Sequence, residues 1–283
     1  MAAPTDVVSV AAGATVLITG AAHGMGALFA RRAAQEGARA IGLWDLDAEA
    51  ATRLAEELTR SGAEAHAIGV DLARLEEIEA AAARTRALIG DPDIVINNAG
   101  IVRGVPFWEH DPVQDIELTM RINALAPMWL TREVLPAMRR DRSRPRRLLN
   151  IASAAGILSN PGMSVYAASK WAMIGWSDSL RLELERSGDR HLAVTTFCPS
   201  FVSTGMFEGA RGPRLTPIMT PERAVEIAWD GMEAGRALVT APWTVKAAMA
   251  ARGIMPTRAW DLLADRVLRV YSSMDRFTGH RGI

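Results

Sequence analysis

Tyrosine is scarce in this chain, with two among 283 residues, and cysteine is scarcer, with Cys198 alone. A single thiol excludes an internal disulfide and fits a reducing compartment. Net charge is missing too: 32 Lys and Arg stand against 32 Asp and Glu. No long-range field therefore draws nucleic acid or an anionic membrane. No run of roughly eighteen apolar residues occurs, so no segment is long enough to span a bilayer. The opening "MAAPTDVVSVAAGATVLITG" lacks a basic leader, and Asp6 interrupts it. It reads as a lead-in to a strand and not as a signal peptide. No repeat of fixed period and no Ser/Gly linker divides the chain. With 49% hydrophobic and 23% charged residues, what remains is a soluble, cytoplasmic globular protein with a large core.

Short aliphatic runs alternate with longer helical patterns. "TVLITG" (15–20), "RAIGLWD" (39–45), "EAHAIGVDL" (64–72), "DIVINNAG" (93–100), "RRLLNIAS" (146–153), "LAVTTFCP" (192–199) and "RALVTAP" (236–242) read as strands. Helices are expected between them, among them 26–37 and 48–62, ended by Gly37 and Gly62, and the long 112–140 and 164–187. Strands separated by helices of this length imply right-handed crossovers and a parallel sheet covered on both faces. The fold class is α/β: one doubly wound sheet of about seven strands over residues 1–242, with a helical extension at 243–283. Two segments stand outside the alternation. "RRDRSRPRR" (139–147) carries six arginines and reads as a solvated turn rather than a phosphate-binding patch. In the tail, Trp260, Leu263, Val267, Val270, Tyr271 and Met274 recur at helical spacing, which predicts a core or subunit contact before an interfacial membrane helix.

"TGAAHGMG" (19–26) follows the first strand and opens the first helix. Gly20, Gly24 and Gly26 suit a tight turn that lets backbone approach a pyrophosphate, with Ala22, His23 and Met25 between them. The Gly-x₃-Gly-x-Gly spacing matches the general dinucleotide fingerprint only loosely, and a turn without ligand stays open. Asp45 ends the second strand, 19 residues after Gly26, followed by Leu46. A carboxylate there can accept from both adenosine ribose hydroxyls, or simply form a turn with Asp47. Against a 2′-phosphate at ~4 Å it would cost roughly 4 kcal/mol at an effective dielectric near 20, which favours NAD over NADP. A protonated His23 beside the same ribose would soften that preference. Asp71 and Leu72, and Asn98, Ala99 and Gly100 of "NNAG", fall at the ends of the third and fourth strands, where such sheets open their ligand crevice. Turn chemistry alone would also account for them.

One of the two tyrosines lies in "VYAASKWAM" (165–173) as Tyr166, four residues before Lys170. Helical spacing puts both on one face. A cation there favours the phenolate and lowers the ordinary tyrosine pKa of about 10. Such a pair is also a common structural accident, and Ser153 at a strand end could be a plain cap.

Together, "TGAAHGMG", "VDL", "NNAG", Asn123 in "RINALAP", Ser153 in "NIASAAG" and "YAASK" resemble the short-chain dehydrogenase/reductase family over roughly residues 13–242. The resemblance implies a seven-stranded Rossmann fold in one domain and a catalytic tetrad of Asn123, Ser153, Tyr166 and Lys170. Tyr166 would be the acid in carbonyl reduction and the base in alcohol oxidation, with Lys170 also holding the nicotinamide ribose. Ser153 would hydrogen-bond the substrate oxygen. Asn123 would position a water that connects Lys170 to solvent. "CPSFVSTGM" (198–206) corresponds to the segment that contacts the nicotinamide carboxamide, through Pro199, Val202 and Thr204, with Ser200 where the family usually has glycine. Cys198 has no partner for nucleophilic chemistry and reads as a buried hydrophobe. No metal-binding cluster is read.

"GLWDLD", "HDP", "SAAG" and the ending "SSMDRFTGHRGI" are closer in look to the retinol and 17β-hydroxysteroid dehydrogenase branch. Residues 205–220 are expected to form a lid, with Met206, Phe207, Leu215, Ile218 and Met219 as apolar contacts. Trp243, Met249 and Met255 would close the pocket from the tail. The expectation is an oxidoreductase for a hydrophobic alcohol and its ketone or aldehyde, a homodimer or homotetramer with no nucleic-acid partner. The rivals are a non-catalytic NAD-binding redox sensor, and an epimerase or dehydratase of the longer related family.

Overall fold

The computed structural model describes residues 9–214 and 216–279. The start of the lead-in at 1–8, Leu215 of the expected lid, and 280–283 lie outside them. Seven strands form one parallel sheet: β1 (Thr15–Thr19), β2 (Ala40–Asp45), β3 (Glu64–Gly69), β4 (Ile94–Asn97), β5 (Arg146–Ile151), β6 (Leu192–Pro199) and β7 (Leu238–Ala241). Their order is β3-β2-β1-β4-β5-β6-β7. The order reverses between β1 and β4, so the loops leaving those two strands diverge and open a crevice at the carboxyl ends.

Both faces of the sheet are buried, which is why its strands read as continuous apolar runs. Side chains alternate across it. Val16, Ile18, Ile41, Leu43, Ile94 and Ile96 face one way, onto Phe29 and Trp229. Leu17, Trp44, Val95 and Leu148 face the other, onto Ile78, Leu130 and Val134. The covering helices are α1 (Gly24–Gln35), α2 (Ala48–Arg60) and α3 (Leu75–Ile89), then a three-residue turn α4 (Leu118–Met120), α5 (Ala126–Arg140), α6 (Ser164–Arg186) and α7 (Pro221–Glu233). The tail adds α8 (Trp243–Ile254) and α9 (Thr257–Leu262).

Three expectations need correction. The helix read as continuous over 112–140 opens instead with two wide π-helical turns, Pro112–Glu117 and Arg121–Leu125, around α4. Pro127 near the start of α5 has no N–H for the carbonyl four residues back, that of Asn123, so the preceding turn widens. The tail stripe is not one helix: α9 runs into a π turn at Leu263–Val267, and Arg269 then takes a left-handed φ of +54°. Trp260 and Ala264 are buried, while Val270 and Met274 reach inward from turns. The arginine-rich segment is a solvated turn only in part: residues 139–143 are exposed, but most of its cations are held by partners. Arg146, only 3% exposed, binds Asp93 and Asp141. Arg139 and Arg142 share the buried Asp189, at 2.6 and 2.9 Å. Arg144 donates to the carbonyls of Val10 and Ala12. Carboxylates from 93 and 189 and backbone carbonyls from 10 and 12 turn a basic run into a tie, something its local composition does not reveal.

Candidate active site

The turn after β1 is held by close backbone approach. Gly20 has φ +60°, and a Cβ there would stand 2.9 Å from Ala99 Cα. A Cβ on Gly26 would lie 1.9 Å from the Gly20 carbonyl oxygen. Asn98 Nδ2 donates to the carbonyls of Thr19 and Gly20, at 3.0 and 2.9 Å. Thr19 Oγ1 accepts from the backbone N–H of Asn98 and Ala99. The "TG" and "NNAG" stretches are thus one hydrogen-bonded unit across the β1–β4 switch point. Helix α1 begins at Gly24 (φ +51°) with no side-chain cap and no acid in its first turn. Its N-terminal N–H groups, His23 before them and Met25 among them, have no intrahelical acceptor and face the crevice end with the positive end of the helix dipole.

Asp45 Oδ2 accepts from Ala22 N at 2.8 Å and Oδ1 from Asp47 N at 3.0 Å, leaving further lone pairs on both oxygens. His23 Nε2 lies 3.1 Å from Asp47, so its charge would be paired there rather than at Asp45. Leu46 is exposed and Leu72 buried. Asp71 turns the chain by accepting from Ala73 N. Thr204 packs against the Gly24 position, and Val202 bridges to Met219, which closes the segment after Pro199 over the loop. The uncapped first turn, the close backbone packing that only glycine allows at 20 and 26, and the open acceptors of Asp45 fit a dinucleotide.

At the other end of the crevice, Tyr166 and Lys170 project from the first turns of α6, 4% and 3% exposed. Lys170 Nζ donates to the Ile151 carbonyl at the end of β5, 2.9 Å away, and lies 5.8 Å from the centre of the Tyr166 ring. Ser153, two residues past β5, accepts from Ala155 N and stands close enough to the Tyr166 phenol to favour its ionised form. Asn123 sits in the second π turn. Its amide is fully engaged: Oδ1 accepts from Ile101 N at 2.8 Å, and Nδ2 donates to the Ile101 carbonyl at 2.8 Å and to Ser169 Oγ at 3.1 Å. A Cβ on Gly100 would come 3.2 Å from Asn123 Oδ1 and 3.4 Å from Lys170 Nζ, so that glycine keeps open the space both groups face.

Proton affinities depart from the sequence reading. Burial pushes the Tyr166 phenol up to about 12, with the Ser153 hydrogen bond pulling the other way. Burial also brings Lys170 down to about 8. Desolvation outweighs the cation's attraction for a phenolate, so at neutral pH the phenol keeps its proton. Cys198, buried behind them, is likewise driven up to about 12, which makes it inert as a nucleophile and agrees with a packing role.

Beside Ser153 opens a cavity of about 270 Å³. Its wall includes Leu158, Phe201, Phe207, Trp243, Trp260 and Leu263. Phe207 meets the Tyr166 ring edge-on at 5.8 Å and Phe201 at 5.3 Å. Of the expected lid residues, Met206 packs in the cluster around Tyr166 but is not on the cavity wall. Ile218 is exposed, and Met219 belongs to the sheet core. Of the tail residues, Trp243 is on the wall, whereas Met249 and Met255 pack behind it.

Several residues of the site escaped the sequence reading. Thr19 and Ser169 stand inside the quoted motifs and were legible as strand-end and helix hydroxyls. The strap formed by residues 268–279 was not. Its backbone pairs with the lid in three places: Arg211 N to Ser273 O, Arg214 N to Leu268 O, and Thr278 N to Glu208 O. Asn160 Nδ2 donates to Ser273 Oγ at 2.8 Å, and Phe277 and Met274 press on Gly104.

Comparison with known proteins agrees with this geometry. Epidermal retinol dehydrogenase 2 of Mus musculus is 35% identical over 273 residues, 95% of this chain and 87% of that protein. Estradiol 17-beta-dehydrogenase 11 of Mus musculus is 33% identical over 257 residues, covering 90% and 84%. Among solved structures, a short-chain dehydrogenase from Sphingobium yanoikuyae in complex with NADPH is 30% identical with a TM-score of 0.73, over 89% of this chain and 96% of that one. A short chain dehydrogenase/reductase from Burkholderia phymatum in complex with NAD shares the fold, with a TM-score of 0.77 at 24% identity over 86% and 93%. The family model for short chain dehydrogenases matches residues 14–214, and the chain belongs to that family.

Proposed function

We propose that the protein interconverts a hydrophobic secondary alcohol and its ketone, or a primary alcohol and its aldehyde, by hydride transfer with NAD(H) favoured over NADP(H). The observation that carries this reading is a buried Tyr166–Lys170–Ser153 group beside an apolar cavity, across the crevice from an uncapped glycine turn. The named activities of the retinol and estradiol relatives, and the NAD and NADPH of the structural neighbours, support it.

Nicotinamide, when bound, supplies the hydride acceptor or donor. Gly20, Gly24 and Gly26 with the first turn of α1 would hold its diphosphate, and Asp45 the adenosine ribose, disfavouring a 2′-phosphate. Asp71, Asn98, Ala99 and Gly100 would line its middle, and Pro199, Val202 and Thr204 its far end. Ser153 donates to the substrate oxygen. Tyr166, held protonated by burial, gives its proton to a carbonyl oxygen in reduction; in oxidation it must first release that proton to solvent, and its phenolate then takes the proton of the hydroxyl. Protonated Lys170 lowers the cost of the intervening phenolate. Asn123 fixes the loop at Ile101 against α6 and so sets the height of both side chains. The same proposal includes a cytoplasmic homodimer or homotetramer through α5 and α6, where Trp171 and Leu182 are 46% and 45% exposed.

The test is absorbance at the nicotinamide band, with NAD⁺ or NADP⁺ and secondary alcohols from aryl carbinols through hydroxysteroids to retinol. Turnover of a bulky apolar alcohol with NAD⁺ is expected. Cofactor binding without turnover of any alcohol would replace this reading with the redox-sensor alternative.

A further inference from the structure

The cavity beside Ser153 is mostly apolar, with Ser153, Asn160, Ser200, Thr216 and Thr244 as the neutral polar residues of its wall. Of its described wall, Arg214 is the one ionisable residue. Its backbone N–H donates to the Leu268 carbonyl at 2.8 Å, which fixes its place between lid and tail. The two segments that frame the opening share a charge pattern. Residues 209–220 carry Arg211 and Arg214, and residues 242–260 carry Lys246, Arg252 and Arg258, with no Asp or Glu in either stretch. None of the five forms an ion pair with a described residue, whereas cations such as Arg31, Arg121, Arg181 and Arg223 do so on the body of the protein. Arg252 donates to the Ile157 carbonyl and lies over the Trp171 ring, so it is placed but not neutralised. Acids stand just outside these stretches, Glu208 before the first and Asp261 and Asp265 after the second, so the charge that belongs to the cavity wall itself is that of Arg214.

We propose that the physiological substrate is an amphiphilic anion: an apolar carbinol or ketone whose end remote from the reacting carbon carries an oxyanion, read by Arg214. This rests on the reading of the cavity as the substrate site. The apolar wall takes the hydrocarbon, Ser153 and Tyr166 take the reacting oxygen, and the Arg214 guanidinium pairs with the far end. Partial exposure of Arg214 keeps the discrimination modest, on the order of five- to tenfold, and sensitive to salt.

Calorimetric titration with dodecanoate, methyl dodecanoate and dodecylammonium tests this on the intact protein, with or without cofactor. Dodecanoate should bind about five- to tenfold more tightly than the ester, and dodecylammonium most weakly. Arg214→Gln should erase the difference between acid and ester, Arg214→Lys should keep most of it, and roughly 0.5 M salt should erode it. Equal binding of all three probes by the wild type overturns the proposal without any variant. So does an acid preference that persists in Arg214→Gln, or one seen only as adsorption to anionic vesicles. Turnover of neutral secondary alcohols with no acid preference would sink this inference and leave the proposed reaction standing. An acid preference with no turnover of any alcohol would do the reverse.

Discussion

The two ends of the crevice are built on different terms. At the glycine turn, contacts run backbone to backbone between neighbouring strand ends, with Gly26 against the Gly20 carbonyl and Asn98 on Thr19 and Gly20. No side chain there has slack to give. At the cavity, three segments far apart in sequence meet through larger side chains: 153–163, 200–214 with Thr216, and 243–270. Phe207 and Phe201 stack edge to face over Tyr166, and a strap without regular secondary structure ties the lid down. The first end can vary little without losing the fold, while the second can be recut for a new substrate with the sheet untouched.

Substitutions should separate the two ends. The largest effect is expected from Gly26→Ala, whose methyl would meet the Gly20 carbonyl. It should destabilise by about 3 kcal/mol and abolish cofactor binding, read by urea unfolding and cofactor titration. The pH dependence of stability comes next. Lys170 titrates near 8 when folded and at 10.5 when free, so between these values the unfolded chain binds the extra proton. Stability attributable to Lys170 should therefore rise with pH across that window, by on the order of 3 kcal/mol. The gap between wild type and Lys170→Met, followed by urea unfolding at stepped pH, should show that rise; a flat gap would mean that the ammonium is not desolvated. At the substrate end, Gly209→Ala combines φ +80° with a methyl 2.1 Å from the Arg276 carbonyl. It should loosen strap from lid and raise KM for an apolar alcohol several-fold, about 1 kcal/mol, with cofactor affinity unchanged. An equal loss of cofactor affinity would erase the distinction between the two ends. Comparable in size is Asp45→Asn, which should narrow the NAD-over-NADP preference by about tenfold in kcat/KM.

The cofactor end was largely legible in the sequence because its chemistry is local. Strand runs, the glycines that follow them and the Tyr166–Lys170 spacing each declare themselves within a few residues. The widened turn that carries Asn123 was not, since it follows from a missing N–H at Pro127, four residues on. The arginines at 139–147 misled for the opposite reason: their partners Asp93 and Asp189 are distant in sequence. The Tyr166 pKa was misread because spacing reveals the cation and not the depth of burial, and burial is the larger effect here. The strap could not have been found, because Ser273 and Phe277 carry no pattern that names Asn160 and Gly104 as their neighbours.

The measurement closest to the central claim is single-turnover oxidation by Tyr166→Phe beside wild type, with cofactor affinity measured on both. The account expects turnover to fall by about 10³-fold or more while cofactor affinity stays within about twofold. Near wild-type turnover in the variant would contradict it, and would show that the proton leaves the substrate by a route that does not pass through Tyr166.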